Sequence, residues 1–374
     1  MRFTIKKEPF LKTLTIAGRA APVKSAVPAL SNIKFDLNEK GLELTGCNGE
    51  MTIDSVVPYM IGEEEIIRSA SVGKILVSAH YITEAIRRME GSEIHFEVVD
   101  SSLAKIDDGR TSIKLVCANA EEYPDIDLEE SGQTFEMGTP DLLDLVEQSA
   151  FAASSKETKP VLSAVNLEAC GDGTLVATAT DAARMARKSV SINSDVRFKC
   201  NVPARILGDI AHLIEGTGAV RVSVDDKKAL FRAGMTVVST RLIPGDYPVT
   251  KSIIPTNFNY FLEANSQELI NAMGRLSIFI TEKDGAVKLS MNEGEVEVYA
   301  KNEASGSANE KIQTFSFVGE SLSVSFNPAY IVDAIKALRS EDVTLCFVNE
   351  MKPFVIKNPK DPSAVELITP MRTY

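Results

Sequence analysis

Histidine is scarce in this chain. Only His80, His95 and His212 occur among 374 residues, none in an H-E-x-x-H or H-x-E setting, so the common helix-borne zinc sites are excluded. No G-x-S-x-G elbow presents a nucleophilic serine. Cys47, Cys117, Cys170, Cys200 and Cys346 are odd in number and never form a C-x-x-C pair, so neither a disulfide framework nor a metal site is expected. Cys117 and Cys346 sit in apolar, strand-like runs and read as core thiols. No run of about 18 apolar residues is free of charge, and the first eight residues, Met1 to Glu8, contain no apolar h-region. The expectation is a cytoplasmic protein without a membrane span.

Several near-motifs fail on one necessary residue. Arg68-Ser-Ala-Ser-Val-Gly-Lys74 ends like a phosphate loop, but Arg68 stands where a glycine is needed for backbone amides to wrap a phosphate. Gly171-x-Gly173 and Gly216-x-Gly218 lack the third glycine of a dinucleotide fingerprint and read as turns. The acidic pairs Asp107-Asp108 and Asp225-Asp226 fall at turns and read as solvated hairpin tips rather than acid and base. No catalytic residue, metal ligand or cofactor is assigned, and the chain does not read as an enzyme.

What is present is a repeat. Val77 to Ile86, Asn201 to Ile210 and Phe326 to Ile335 share a helix-starting pattern, and Ile86, Ile210 and Ile335 are spaced by 124 and then 125 residues. Each stretch leads through a charged turn to an alternating apolar strand, Ile94 to Val98, Val220 to Val224 and Val343 to Phe347. Each unit then closes on proline, in Glu122-Tyr-Pro-Asp125, Asp246-Tyr-Pro-Val249 and Thr369-Pro-Met-Arg372. The front halves of the first two units also match, Pro28 to Phe35 against Pro160 to Leu167, followed by Gly41 to Thr45 and Gly173 to Ala177. The third unit keeps only the second of these strands, Gly285 to Ser290. The period is several times that of a solenoid, so each copy is a domain of about 120 residues. Boundaries are expected at 1–126, 127–250 and 251–374.

With 44% hydrophobic and 25% charged residues the composition is that of a globular protein with ample core. Turns at Asp107 to Gly109, Gly171 to Gly173, Asp225-Asp226 and Asp284-Gly285 separate strand-like runs and favour hairpins, hence antiparallel sheet. Two helices interrupt the strands of each unit. The first are read at Pro9 to Arg19, Pro140 to Ala152 and Ser266 to Ser277, with Thr139 and Ser266 as N-caps. The second begin near Ala79, Pro203 and Pro328. Few helices and many hairpins make an α+β fold.

The stretch Phe326 to Ile335, the turn Leu242-Ile-Pro-Gly-Asp-Tyr-Pro248, Thr180-Asp181 followed by Arg184, and the terminal Pro370-Met-Arg372 together resemble the bacterial DNA polymerase III beta subunit family, the sliding clamps. The resemblance covers essentially the whole chain, including its three units. It implies that two three-domain subunits close head to tail as a homodimeric ring, helices lining the hole and sheets outside, which encircles duplex DNA and tethers a polymerase without catalysis of its own. A net charge of −12 and a pI near 5.0 argue against a large basic DNA footprint, and a ring needs none. Candidate lining residues share helix faces: Lys12 with Arg19, His80 with Arg87, Arg205 with His212, and Lys336 with Arg339. The same spacings equally fit the solvated faces of amphipathic helices. Asp141, Asp144 and Glu147 speak against a uniformly basic lining. Lys24 and Lys156 occupy equivalent loops of the first two repeats, where family members touch DNA.

The family also implies a hydrophobic pocket for a short peptide from the polymerase III catalytic subunit, the clamp loader and other replication and repair proteins. Here it would use Leu162, Thr180, Arg184, Met185, Pro248, Ile253, Asn327, Tyr330, Met351, Pro370, Met371 and Arg372, although Leu162 and Met185 also fit plain domain core. Asp181-Ala-Ala-Arg184 departs from the family's frequent Gly-His before Arg, Ser252 stands where a basic residue is common, and Thr373-Tyr374 extend past the usual end. The family's subunit contact falls on Ile278 and Phe279, within an apolar run, Leu276 to Ile280, that equally fits a buried strand. A peptide-binding scaffold without DNA is the alternative, followed by an enzyme with a site assembled between domains.

Overall fold

Strands in this chain alternate buried and exposed positions, as in Asn32–Asn38, where Ile33, Phe35 and Leu37 are buried and the residues between them are not. The computed structural model describes residues 1–100, 102–156, 158–280 and 285–372. Asp284 of the expected fourth turn and the Thr373-Tyr374 extension lie outside the described residues. Repeat one contains β1 (Arg2–Lys6), α1 (Lys7–Gly18), β2 (Asn32–Asn38), β3 (Gly41–Cys47), β4 (Met51–Pro58), β5 (Met60–Ile61), β6 (Glu64–Glu65), β7 (Ile67–Ser71), β8 (Gly73–Ser78), α2 (Ala79–Arg88), β9 (Glu93–Asp100), β10 (Leu103–Asp107) and β11 (Ser112–Ala118). Repeat two contains β12 (Gln133–Gly138), α3 (Thr139–Glu147), β13 (Ala164–Cys170), β14 (Thr174–Thr180), β15 (Arg184–Ser191), β16 (Arg197–Pro203), α4 (Ala204–Leu213), β17 (Ala219–Val224), β18 (Lys228–Ala233) and β19 (Thr236–Arg241). Repeat three contains β20 (Tyr260–Asn265), α5 (Ser266–Leu276), β21 (Val287–Asn292), β22 (Glu295–Asn302), β23 (Gly306–Lys311), β24 (Thr314–Val318), β25 (Leu322–Phe326), α6 (Pro328–Leu338), β26 (Asp342–Phe347), β27 (Phe354–Asn358) and β28 (Asp361–Ile368).

The three repeats have one topology. A four-stranded antiparallel ladder runs β8-β2-β3-β4, β16-β13-β14-β15 and β25-β21-β22-β23, and a second runs β1-β9-β10-β11, β12-β17-β18-β19 and β20-β26-β27-β28. This corrects the reading of Gly285 to Ser290 as a second strand. Strand β21 pairs with β25, as β2 pairs with β8, so it is the first strand of its repeat. The 3-10 turns Pro28–Ser31 and Pro160–Ser163 that lead into β2 and β13 have no proline counterpart ahead of β21, which hid the alignment.

Two expected caps also shift. Asn265, not Ser266, caps α5, its Oδ1 accepting from the Gln267 and Glu268 amides at 3.0 and 3.2 Å. Thr139 is the first helical residue of α3, which ends at Glu147, and a separate 3-10 turn covers Ala150–Ala152.

Residues Met1–Thr139 with His212–Leu242 form one compact unit, and Pro140–Ala211 with Ile243–Tyr374 form another. In the first, Phe3, Phe10, Phe35 and Phe96 make a closed aromatic cluster, with Phe3 and Phe96 stacked at 4.9 Å and Phe10 edge-on to Phe3 and Phe35. Helix α1 lies close on β3 because Gly46 has no side chain: a Cβ there would stand 2.0 Å from the Ala17 carbonyl oxygen. In the second unit Phe326, Phe347 and Phe354 play the same part. The closing Tyr-Pro pairs also have a structural reason. Buried Tyr123 donates its hydroxyl to the Thr45 carbonyl at 3.3 Å, and buried Tyr247 accepts from the Thr180 amide at 3.0 Å.

Each unit contains a joint between repeats made by one antiparallel strand pair. Strand β4 pairs with β19 from Ser55↔Thr236 to Met51↔Thr240 in the first unit, and β15 pairs with β28 from Arg184↔Ile368 to Lys188↔Ala364 in the second. At the first joint Asp54 of β4 is buried opposite Val237 and accepts from Thr45 Oγ1 at 2.7 Å. Burial, and then the neighbouring Glu43 carboxylate, push its pKa up to about 7. The folded chain therefore holds this proton more tightly than the unfolded chain, whose aspartates titrate near about 3.9. Stability from Asp54 is complete below that value and is lost as pH rises through about 7. Denaturant titrations should show the unfolding constant rising by about tenfold per pH unit across that window relative to Asp54→Asn. Parallel pH profiles for the two proteins would contradict this.

Candidate functional site

The expected pocket residues converge partly, around Arg184. The turn before β15 is shaped by Asp181, whose Oδ1 accepts from the Ala183 and Arg184 amides at 2.9 and 3.0 Å, while Ala182 takes a left-handed φ of 76°. Thr180 Oγ1 donates to the Arg184 carbonyl at 2.6 Å and closes the turn. This aims the Arg184 guanidinium at α6. Its Nε donates to Asp181 Oδ2 at 3.1 Å, Nη1 to Asp333 Oδ2 at 2.6 Å and Nη2 to the Phe151 carbonyl at 3.0 Å. The ring of Tyr330 lies 4.6 Å from the guanidinium carbon and that of Phe151 at 5.5 Å. Burial raises the Tyr330 pKa. Arg184 is thus held between two rings and three acceptors, and it works as a fastener between β15 and α6.

Beside this fastener is an apolar patch. Met185, Val355 and Leu367 form a small buried cluster, against which Ile254, Phe258 and Val365 pack. Met185 is therefore apart from the main core of repeat three, whereas Leu162 is buried in the 3-10 turn that leads into β13. Asn327 caps α6, accepting from the Ala329 amide at 3.0 Å, with Pro328 following as the first helical residue. Asn327 and Met371 border a cavity of about 510 Å³ whose walls include Met273, Ile280, Pro328 and Val332. The Met371 amide donates to the Ser325 carbonyl at 2.7 Å, fixing the tail next to it. Pro370 is half-buried, and Ile253, Met351 and Arg372 are exposed. Pro248 borders a different, polar cavity of about 260 Å³ with Glu168, Arg187 and Lys199. Asp333, Phe151, Val355 and Leu367 were missed from sequence. Leu367 lies in an alternating strand and could have been found by its period, but Asp333 gives no local sign of its partner.

The expected basic positions Lys12, Arg19, Lys24, Arg87, Lys156, Arg205 and Lys336 are all exposed. Arg87 pairs with Glu84 on its own helix. Arg339 is not a free cation: it bonds Asp144 Oδ1 at 3.0 Å and also meets Glu147, so the acidic face of α3 is a partner of α6. Ile278 is 77% exposed in the 3-10 turn Ser277–Phe279, while Phe279 is half-buried against the core of repeat three. The alternative of a buried strand there is thereby removed.

Arg184→Lys should cost about 1–3 kcal/mol, because an ammonium cannot reach three fixed acceptors and stack between two rings. Arg187→Lys, on the other face of β15, should stay within about 0.5 kcal/mol. Denaturant unfolding of both variants checks the pair, and equal effects would contradict the fastening role.

Three family models cover nearly all of the chain: the N-terminal domain of the DNA polymerase III beta subunit matches residues 1–127, its central domain 136–249 and its C-terminal domain 251–372. A beta sliding clamp from Streptococcus pneumoniae strain R6 is 31% identical over the full length of both chains. The crystal structure of the DNA polymerase sliding clamp from Bacillus subtilis superposes with a TM-score of 0.95 at 29% identity, covering all of both chains. The DNA polymerase III beta chain of Streptococcus pneumoniae TIGR4 gives 0.95 at 30%, again over all of both. By this full-length agreement of sequence and fold, the chain belongs to the DNA polymerase III beta subunit family.

Proposed function

We propose that this chain is a DNA polymerase sliding clamp, a processivity subunit with no catalytic centre or cofactor of its own. Its domains are 1–126, 127–250 and 251–374, and two chains close head to tail into a ring around duplex DNA, whatever its sequence. The observation that carries this reading is a pair of strand edges. Strand β19 covers the edge of β4, and β28 covers that of β15. The strands in the corresponding places, β23 of repeat three and β11 of repeat one, keep an uncovered edge among the described residues, β11 meeting β8 only at Cys117 and Ala118. Exposed edges of this length invite pairing. Joining β23 of one chain to β11 of its partner, twice, repeats the joint already used inside the chain and closes the assembly.

The side chains beside these edges agree with that closure. The walls of a cleft of about 280 Å³ next to β11 include Tyr81 and Ala85 of α2, Met89 just after that helix, and Ile113 and Leu115. Ile278 is exposed beside Phe279, whose ring reaches the start of β23 at Gly306. These two apolar residues suit the cleft on a partner chain. Around DNA, Lys12, Arg19, Lys24, Arg87, Lys156, Arg205 and Lys336 supply weak, sequence-independent contact, while the ring supplies the hold.

Partners dock by a short peptide with apolar anchors, received by Leu162, Thr180, Arg184, Met185, Pro248, Ile253, Asn327, Tyr330, Met351, Pro370, Met371 and Arg372. The polymerase III catalytic subunit, the clamp loader and other replication and repair proteins compete for this groove. The protein works in the cytoplasm with no membrane partner; among the described residues no helix is long and apolar enough to cross one.

Primer extension with a polymerase and clamp loader tests the function: the wild-type chain should lengthen products, and no lengthening with a working loader would contradict it. Phe279→Asp should yield monomers in sedimentation at low protein concentration and abolish the lengthening, whereas a persisting dimer removes Phe279 from the interface. Lys24→Ala with Lys156→Ala should weaken DNA contact at low salt and leave the fold intact, and unchanged affinity would remove that assignment.

A further inference from the structure

Strand β28 carries a residue that a buried sheet position seldom holds. Glu366 is 1% exposed, and neither carboxylate oxygen has a hydrogen-bond partner among the described residues. It stands in the middle of the joint between repeats two and three, opposite Ala186 of β15 and Ile356 of β27. Ala364 and Ile368, two positions to either side, belong to the core of repeat three, so the two-residue period of the strand turns Glu366 the same way. The first joint shows what ordinarily fills this place. Counting from the hairpins that close at Thr180↔Met185 and Cys47↔Thr52, the pair Ala186↔Glu366 corresponds to Ile53↔Val238. A carboxyl therefore replaces an apolar side chain at one joint of the two.

The charges around Glu366 are already committed. On β15, Arg184 and Lys188 flank Ala186 and act on it, but Arg184 is bound by Asp181 and Asp333. Lys188 is bound by Asp361 Oδ2 at 2.9 Å and by Ser363 Oγ at 2.7 Å. Helix α6, which packs on β27 and β28, brings Asp333, the acid that holds Arg184, and Lys336, which is exposed. Strand β27 faces it with Ile356, and β28 itself contributes only Asp361, bound to Lys188. The two cations offset the cost of burial in part, and the carboxyl keeps its proton well above the usual glutamate range.

We propose that Glu366 is a proton-dependent latch of this joint: protonated, it lets β15 and β28 close on a neutral side chain, and ionised, it favours an opened joint in which water reaches the carboxylate. The closed joint binds the proton more tightly than the open one. Its stabilisation is therefore complete below the ordinary glutamate range and is lost as pH rises toward the elevated value. The contribution of Asp54 at the other joint is common to wild type and a Glu366 variant and cancels in their ratio.

Hydrogen exchange on the full chain and on Glu366→Gln, from about pH 5 to about pH 8, tests the latch. After correction for intrinsic exchange, the opening constant of amides bridging β15 and β28 should rise with pH in wild type relative to the variant, at a slope of up to about tenfold per pH unit above the ordinary glutamate range. Amides bridging β13 and β14 should keep one ratio throughout. An equal pH dependence in both proteins overturns the proposal, as does a wild-type joint whose protection does not change. Should Glu366→Gln not fold, the carboxyl carbon shift of Glu366 in the wild-type chain decides: titration above the ordinary glutamate range supports the latch, and titration within that range contradicts it.

Discussion

The rest of this structure depends on the pairing of one kind of strand edge with another. Every repeat ends one ladder in a strand such as β4 and another in a strand such as β11, and backbone amides at such edges are stable when they meet a partner strand rather than water alone. Inside the chain the need is met twice, by β4 with β19 and by β15 with β28. Two such pairings among three repeats leave one edge of each kind among the described residues, and in the proposed ring a second copy of the chain is the complement that supplies both. The proposed ring thus follows from the same hydrogen bonding that joins the repeats, and its hold on DNA asks for no strongly basic surface. A net charge of −12 is compatible with that economy.

The second joint is chemically unlike the first. On one face of β15 and β28, Arg184, Lys188 and the buried Glu366 stand among Ala186, Ala364 and Ile368, and Arg184 reaches beyond the sheet to Asp333 of α6. The apolar patch of Met185 and Leu367 lies on the same two strands. Packing, ion pairing and the proposed peptide groove therefore share one piece of backbone, so a change at the joint is felt by the groove. The surface offered by the proposed groove is preformed: Tyr330 and Phe151 are held by the guanidinium between them, and Asn327 is held by its capping bond.

Much of this was legible in the sequence, because copying preserves spacing. The three helix starts, the strands after them and the Tyr-Pro closures stood at constant intervals, and the structure gives each a place, down to the paired hydroxyl bonds of Tyr123 and Tyr247. The failures were local. Strand β21 reads as a second strand in the sequence because no proline precedes it as Pro28 and Pro160 precede β2 and β13. Ser266 reads as the cap in the sequence because, like Asn265 one residue earlier, it offers a side-chain acceptor, and only the structure shows which of them caps α5. At the candidate site, the helical spacing of Lys336 and Arg339 hid that Arg339 spends its charge on Asp144 and Glu147, a contact across 195 residues. Nor does anything near Glu366 in the chain announce that its side chain is enclosed. Its strand reads as ordinary alternation, and only the folded structure shows it buried, with no hydrogen-bond partner among the described residues.

The central claim is that the hold on DNA is topological, and retention on nicked circular DNA measures it most directly. After loading by a clamp loader, the chain should stay on intact circles and be lost rapidly once the circles are cut to linear form. Equal retention on circular and linear DNA would mean binding by affinity and would contradict the account.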